Sequence, residues 1–371
     1  MKYVFVEDLE KGMVLGEDLL NEFNSIVFLK DHILDEKDIE SIVKLNYLMV
    51  KVSEKKEVVP EKPKKKVIEK VKETVTFSED RSQIVEEKRQ KELQTLKDSY
   101  LNSLFKFKDI ILKVKKDSDL TKLETDVLVN PLITSISAEK SFVDILKILN
   151  ADEEYIVTHS INVGIISYVL GNALGYRGED LKNIMIAGIF HDIGKIKIDQ
   201  TIIQKDGKLT EEEYLEVKKH SYLSCEYIKK HGDFSDKVVI GILDHHERMD
   251  GSGYPRSLAG EKINIYSRII AVADTYDAMT SKRVFADKMS PFFVLENLNG
   301  LSFETLDPKV CKKFIEMITS NYVGQEVVLS DGRKGKIVYL NKYDKLRPLV
   351  KIGDGFVDLF TNYDINIEDF A

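Results

Sequence analysis

The chain has 371 residues, with 55 Lys and Arg against 63 Asp and Glu, a formal net charge of −8, and 43% hydrophobic residues. That length suits two or three ordinary globular domains, while the acidic balance argues against a nucleic-acid polymer as partner and requires local cations wherever a phosphate is to bind. Cys225 and Cys311 form no CxxC pair, so no disulfide framework or thiolate zinc site is expected, and a reducing, cytoplasmic setting is.

In chain order, the first residues lack the apolar core and cleavage site of a signal peptide. Residues 1–52 combine short β-type runs (3–6, 26–29, 47–52) with a helical pattern over 35–45, which predicts a small α+β module. Its length and lack of an acidic cluster exclude a phosphorylatable receiver domain. Residues 53–78 turn to Lys, Glu, Pro and Val, including Lys64-Lys65-Lys66, and read as a charged linker. A helical lead-in is expected over 79–138. Leu93, Leu96, Tyr100, Leu104, Ile110 and Ile111 share one side of its long helix, which could lead into the next domain or pair with a second subunit.

Residues 139–320 are helical almost throughout. Residues 155–176 contain no Asp, Glu, Lys or Arg and are long enough to span a bilayer. His159, Ser160, Asn162 and Asn172 within them argue instead for a buried core helix, so no integral membrane segment is expected. Thr210-Glu211-Glu212-Glu213 has the form of a capping box, opening a helix expected to carry His220 on its inner face. Beyond residue 321, β-rich runs (323–329, 335–340, 349–352, 356–360) separated by Asp331-Gly332 and Asp354-Gly355 predict a small β module at the end. The expected fold class is mainly α: a helical catalytic core between a small α+β module and a small β-rich one.

The chemistry gathers in the helical region. His159, His191, His220, His245 and His246 lie in one segment with Asp192 and Asp274. Neutral imidazoles with carboxylates suit Mn, Fe, Zn or Ni, and a two-metal phosphoryl-transfer site needs one carboxylate to bridge. Asp192 is the best candidate for that bridge, because His191 closes an apolar helix over 181–190 and Gly194 permits a tight exit. Asp274 sits in an apolar helix where an unpaired carboxylate would be costly to bury, and Asp277, one turn on, reads as a cap or ion-pair partner. His245 and His246 would diverge on a regular helix, so both can face one site only if the helix ends or bends there. Lys195 is placed to neutralise a phosphate oxygen. Tyr254 in the loop Gly251-Ser252-Gly253-Tyr254-Pro255 either stacks on a base or plugs the loop.

The run His191-Asp192-Ile193-Gly194-Lys195, followed by His245-His246-Glu247 and Gly253-Tyr254-Pro255, resembles the HD-GYP family of cyclic di-GMP phosphodiesterases. The resemblance covers about 139–320. It implies His159, His191, Asp192, His220, His245, His246 and Asp274 as ligands of two divalent ions, Fe or Mn first and Zn, Ni or Mg as alternatives. Glu247 is then a supporting partner, and Asp192 and Lys195 act in catalysis. Lys195, Gly253, Tyr254, Pro255, Arg283 and Lys288 are implied on the substrate side.

The expected reaction linearises cyclic di-GMP to pGpG, and onward to GMP if hydrolysis is complete. GGDEF-domain proteins or a second copy of the chain are the possible protein partners. The alternatives are an HD-type hydrolase of another nucleotide, or a noncatalytic cyclic di-GMP receptor that docks GGDEF proteins.

Two departures from the family pattern matter. His220-Ser221-Tyr222-Leu223-Ser224 stands where His-Pro-x-x-Gly is usual, and Arg283-Val284-Phe285-Ala286 keeps the first substrate cation but not the second, for which Lys288 is the nearest substitute. Some family members hold a third ion through a Glu one turn before the first histidine. Here that residue is Tyr155, with Glu154 about 100° away around a helix, so two ions are expected.

Overall fold

The computed structural model describes residues 2–16, 19–20, 26–44, 49–53, 68–136, 142–149, 154–281, 291–320, 322–353 and 355–370. They form two compact units, residues 1–83 and 84–371.

In the first unit, strands β1 (Lys2–Phe5), β2 (Val14–Leu15) and β5 (Met49–Ser53) make an antiparallel sheet in the order β1-β5-β2, and β3 (Leu19–Leu20) pairs with β4 (Ile26–Phe28). Helix α1 (Glu36–Lys44) starts where the Asp35 carboxylate accepts from the Lys37 and Asp38 amides, satisfying donors that the first turn leaves free. Leu15, Leu34, Ile42, Val50 and Val52 form a small core. This is the expected α+β arrangement, with two additional short strands.

Helix α2 (Ile68–Lys115) begins earlier than its heptad pattern suggests, so residues 68–78 of the expected linker are helical; Lys64-Lys65-Lys66 lies outside the described residues. Within the second unit it buries Leu96, Tyr100, Leu104, Phe107, Ile110 and Val114 in the main hydrophobic core, while Leu93 at the edge is only half-buried. The helices that follow are α3 (Lys122–Ser135), α4 (Phe142–Ile148), α5 (Tyr155–Ala173), α6 (Gly178–Phe190), α7 (Gln200–Ile203), α8 (Glu211–Lys218), α9 (His220–His231), α10 (Asp236–Leu243), α11 (Ile265–Thr280), α12 (Pro291–Glu304) and α13 (Pro308–Thr319).

Helix α5 is the one described helix long and apolar enough to cross a membrane, but 72% of its apolar window is buried inside the protein. It is a core helix, buried over most of its surface and free of charges rather than amphipathic. The Thr210–Glu213 capping box is present, with both reciprocal bonds made. The helix it opens does not carry His220, however: α8 stops at Lys218, and His220 begins α9 after a one-residue break.

Strands β6 (Glu326–Leu329), β7 (Lys334–Tyr339), β8 (Leu349–Ile352), β9 (Gly355–Asp358) and β10 (Ile367–Phe370) close the chain as one antiparallel sheet, ordered β10-β6-β7-β8-β9. The Asp331-Gly332 turn is formed, with Gly332 at φ +81, whereas Asp354 lies outside the described residues. Val327, Leu329, Ile337 and Val350 join the same hydrophobic core as the helices.

Candidate metal centre

Each histidine of the cluster stands at or near a helix end or on the central helix. His191 caps α6, and Asp192 leads into a 3-10 turn over Ile193–Lys197. That turn lies tight against the start of α9. A Cβ on Gly194 would come within 2.3 Å of the His220 carbonyl oxygen and 2.5 Å of the Ser224 nitrogen, so no larger residue fits. The Gly194 amide donates to Ser224 Oγ at 2.8 Å. Ser224, one of the departures from the family pattern, thus ties the Asp192 segment to the helix that begins with His220.

Helix α10 ends at Leu243, and the turn after it lets His245 and His246 converge. Their Nε2 atoms lie 3.3 and 3.1 Å from Nε2 of His220. Asp192 stands at the centre: Oδ1 is 3.2 Å from His220 Nε2, while Oδ2 is 3.3 Å from His191 Nε2 and 3.6 Å from His159 Nε2. Two donor groups result, one of Asp192, His220, His245 and His246 and the other of His159, His191 and Asp192, sharing the one carboxylate. Asp274 Oδ1 adds to the second group, 3.1 Å from His159 Nε2 and 3.9 Å from His191 Nε2.

The outer nitrogens decide the protonation. Nδ1 of His191, His220 and His245 lies 2.6–2.7 Å from the carbonyl oxygens of Gly188, Val217 and Ile242, and Nδ1 of His159 lies 2.7 Å from Asp277 Oδ2. Carbonyl and carboxylate oxygens only accept, so each Nδ1 carries a proton, and in a neutral ring such as His220 or His245 the Nε2 lone pair then faces inward. Lone pairs of His220 and His245 meeting at 3.3 Å repel unless a cation lies between them. His191 Nε2 and Asp192 Oδ1 are buried without a hydrogen-bond partner, which a bound cation would supply. The cluster fits a divalent metal centre.

Electrostatics agree. Burial pushes the His220 imidazole down to about 4 and His246 to about 3, and holds His245 well below its ordinary value, so these rings are neutral at pH 7. Burial alone would raise the Asp192 and Asp274 carboxyls, but the charges around them win: His191, Lys195 and His220 hold Asp192, and His159 holds Asp274, well below the usual carboxylate range. His159 differs. Its burial is outweighed by Asp274 and Asp277, which raise it to about 9.

The Gly-Tyr-Pro loop lies against this cluster. Tyr254 stacks on His246 at 4.7 Å between ring centres, and its amide donates to the His246 carbonyl at 3.3 Å. A Cβ at Gly253 would meet the Glu247 Cα at 2.4 Å, so only glycine lets the loop pass there. The buried Glu247 carboxylate accepts from the Arg256 and Leu258 amides at 2.6 and 2.8 Å, and Arg256 pairs with the fully buried Asp244. Glu247 therefore anchors the loop by its carboxylate. Pro255 is exposed.

Lys195 places its ammonium 2.5 Å from Asp192 Oδ2. Arg283 and Lys288 lie outside the described residues. A fourth cation, to which the family pattern does not point, stands near the loop: Lys218 Nζ is 4.9 Å from the Tyr254 ring centre and 4.6 Å from that of Tyr214. Its only mark in the sequence is the Tyr214–Lys218 spacing of one helical turn.

Residues 145–310 match the family model described as the HD domain. Among curated relatives, a cyclic di-GMP phosphodiesterase of Pseudomonas aeruginosa is 33% identical over 55% of this chain and 49% of its own length. A 3'3'-cGAMP-specific phosphodiesterase of Vibrio cholerae is 39% identical over 47% of this chain and 39% of its own, and a cyclic di-GMP phosphodiesterase of Thermotoga maritima is 34% identical over 47% and 49%. The chain thus spans about half the length, or less, of these relatives.

Proposed function

We propose that the protein is a metal-dependent phosphodiesterase that hydrolyses cyclic di-GMP to pGpG in second-messenger signalling. The observation that carries this reading is the single buried carboxylate, Asp192, shared by two groups of imidazole donors beside the Lys195 ammonium and the Gly-Tyr-Pro loop. Two divalent ions, Fe or Mn by donor type, would be held by His159, His191, Asp192 and Asp274 on one side and by Asp192, His220, His245 and His246 on the other. When bound, such ions polarise the phosphate and bring the pKa of a water to roughly 7, supplying the nucleophile at neutral pH.

The chain's own groups do the rest. Asp192 holds the two donor groups in fixed relation, and Lys195 offers a cation to a phosphate oxygen. Tyr254 presents a rigid aromatic edge where the base enters. Tyr155 stacks on His159 at 5.0 Å and Glu154 is the exposed N-cap of α5, which supports two ions rather than three, and pGpG rather than GMP as the accumulating product.

Chromatography of cyclic di-GMP incubated with Mn- or Fe-loaded protein tests the reading, with Asp192→Ala as the inactive control. Full activity in that variant, or none in the loaded wild type, sinks it. The relative at 39% identity favours one second reading, 3'3'-cGAMP as substrate, so both cyclic dinucleotides belong in the assay.

A further inference from the structure

Tyr100 of α2 is 1% exposed, and its hydroxyl donates to Asn162 Oδ1 at 2.8 Å. Asn162 donates through Nδ2 to Asp277 Oδ1 at 2.8 Å, and also lies 3.4 Å from the Leu149 carbonyl. The other oxygen of Asp277 accepts from His159 Nδ1 at 2.7 Å. Three buried hydrogen bonds thus run from a helix outside the cluster to the imidazole whose Nε2 faces Asp192 and Asp274.

The polarity of this chain is fixed at every link. A carboxylate only accepts, so Asn162 must turn its NH2 toward Asp277, which turns its Oδ1 toward Tyr100. A buried amide oxygen left without a donor is costly, and the phenol is the donor. Removing that hydroxyl leaves the amide held through its NH2 alone, to Asp277 and the Leu149 carbonyl, which loosens Asp277 and, through it, the ring of His159. We infer that Tyr100 is a positioning residue for the metal centre, fixing the orientation of His159 through Asn162 and Asp277.

The inference rests on the metal-centre reading above, but its test needs no substrate. Tyr100→Phe keeps the ring and removes only the hydroxyl. Tyr227→Phe is the matched control, since Tyr227 is equally buried in the same core and its hydroxyl donates to the Ser118 carbonyl at 2.8 Å. Titration of metal-free protein with Mn(II), followed by electron paramagnetic resonance, reads the affinity of each ion.

Groups in direct contact with a ligand histidine are worth about 10–100-fold in metal affinity. Two steps further out, Tyr100→Phe should weaken one of the two ions about tenfold, the lower end of that range, and leave the other unchanged. Tyr227→Phe should leave both unchanged. In an Asn162→Ala background, where the path is already cut, Tyr100→Phe should add nothing. Unchanged affinity in Tyr100→Phe, an equal loss in Tyr227→Phe, or additive losses with Asn162→Ala would each overturn the inference while the wild type still binds its ions. A wild type that binds no Mn(II) would overturn the metal centre itself, and ion binding without hydrolysis would sink only the phosphodiesterase.

Discussion

The ammonium of Lys195 reaches 2.5 Å from Oδ2 of Asp192, yet the carboxylate is 2% exposed and the lysine side chain 26%. The pair therefore joins the buried centre to its mouth. A cation in that position can serve Asp192, or a phosphate arriving beside it, and the two roles separate by measurement. Lys195→Met should lower kcat about 100-fold, the usual cost of losing one donor to developing charge, while metal content by elemental analysis stays that of the wild type. Loss of metal along with activity would assign Lys195 to holding Asp192 instead.

Lys218 makes the second prediction. No ion pair to a carboxylate is present for it among the described residues, in contrast to Lys219, which pairs with Glu216. An ammonium close to Tyr254 and free of an acid suits a phosphate or the acceptor edge of a guanine. Lys218→Ala should raise KM about tenfold with kcat nearly unchanged, the scale of one charge-assisted hydrogen bond. The neighbouring Lys219→Ala is the control, and equal kinetics in the two variants would remove Lys218 from the substrate side.

What the sequence made legible follows from how local each signal is. The clustering is legible because imidazole and carboxylate side chains that converge on one point have few other reasons to meet: the five histidines lie around Asp192, with Asp274 beside His159 and His191. The loop's support was half readable: Glu247 sits beside two histidines, but Asp244 and Arg256 meet only through the fold. Tyr100 read as one more apolar position of a heptad face, because nothing in a single helix shows that its hydroxyl will meet Asn162. His220 lies on the helix after the one that its periodicity predicts, since a one-residue break at Lys219 leaves the helical spacing intact. Strand β10 carries no clear sequence signal, because Ile367-Glu368-Asp369-Phe370 is an acidic edge strand with little alternation.

Glu247 makes the third prediction. Its carboxylate is the acceptor for two loop amides, and the residue is 3% exposed. Glu247→Ala leaves both amides without that partner, at about 1.5–3 kcal/mol for each bond to a charged group. A loss of about 3 kcal/mol in urea unfolding is expected, together with a raised KM as Tyr254 loses its fixed place. Stability within about 0.5 kcal/mol of wild type, the range of an ordinary surface substitution, would show that the loop holds without this anchor.

The fourth prediction concerns pH and the metal-free protein. An unfolded histidine titrates near 6.5. His159 is raised to about 9 in the folded state, so its contribution to stability is complete below about pH 6.5 and is lost as pH climbs through about 9. His220 and His246 are depressed to about 4 and about 3, so for them the unfolded state binds more protons, and stability falls as pH drops below about 6.5. The two trends cross. Chelator-treated protein should therefore melt at its highest temperature near pH 6.5 and lose stability toward both about pH 4 and about pH 9. Metal binding requires a neutral His159 ring, so saturating Mn(II) should abolish the alkaline decline, and binding at pH 7 should release close to one proton from this histidine, measurable by calorimetry in buffers of different ionisation enthalpy. A metal-free melting temperature that keeps rising to about pH 9 would show that Asp274 and Asp277 do not hold a proton on His159.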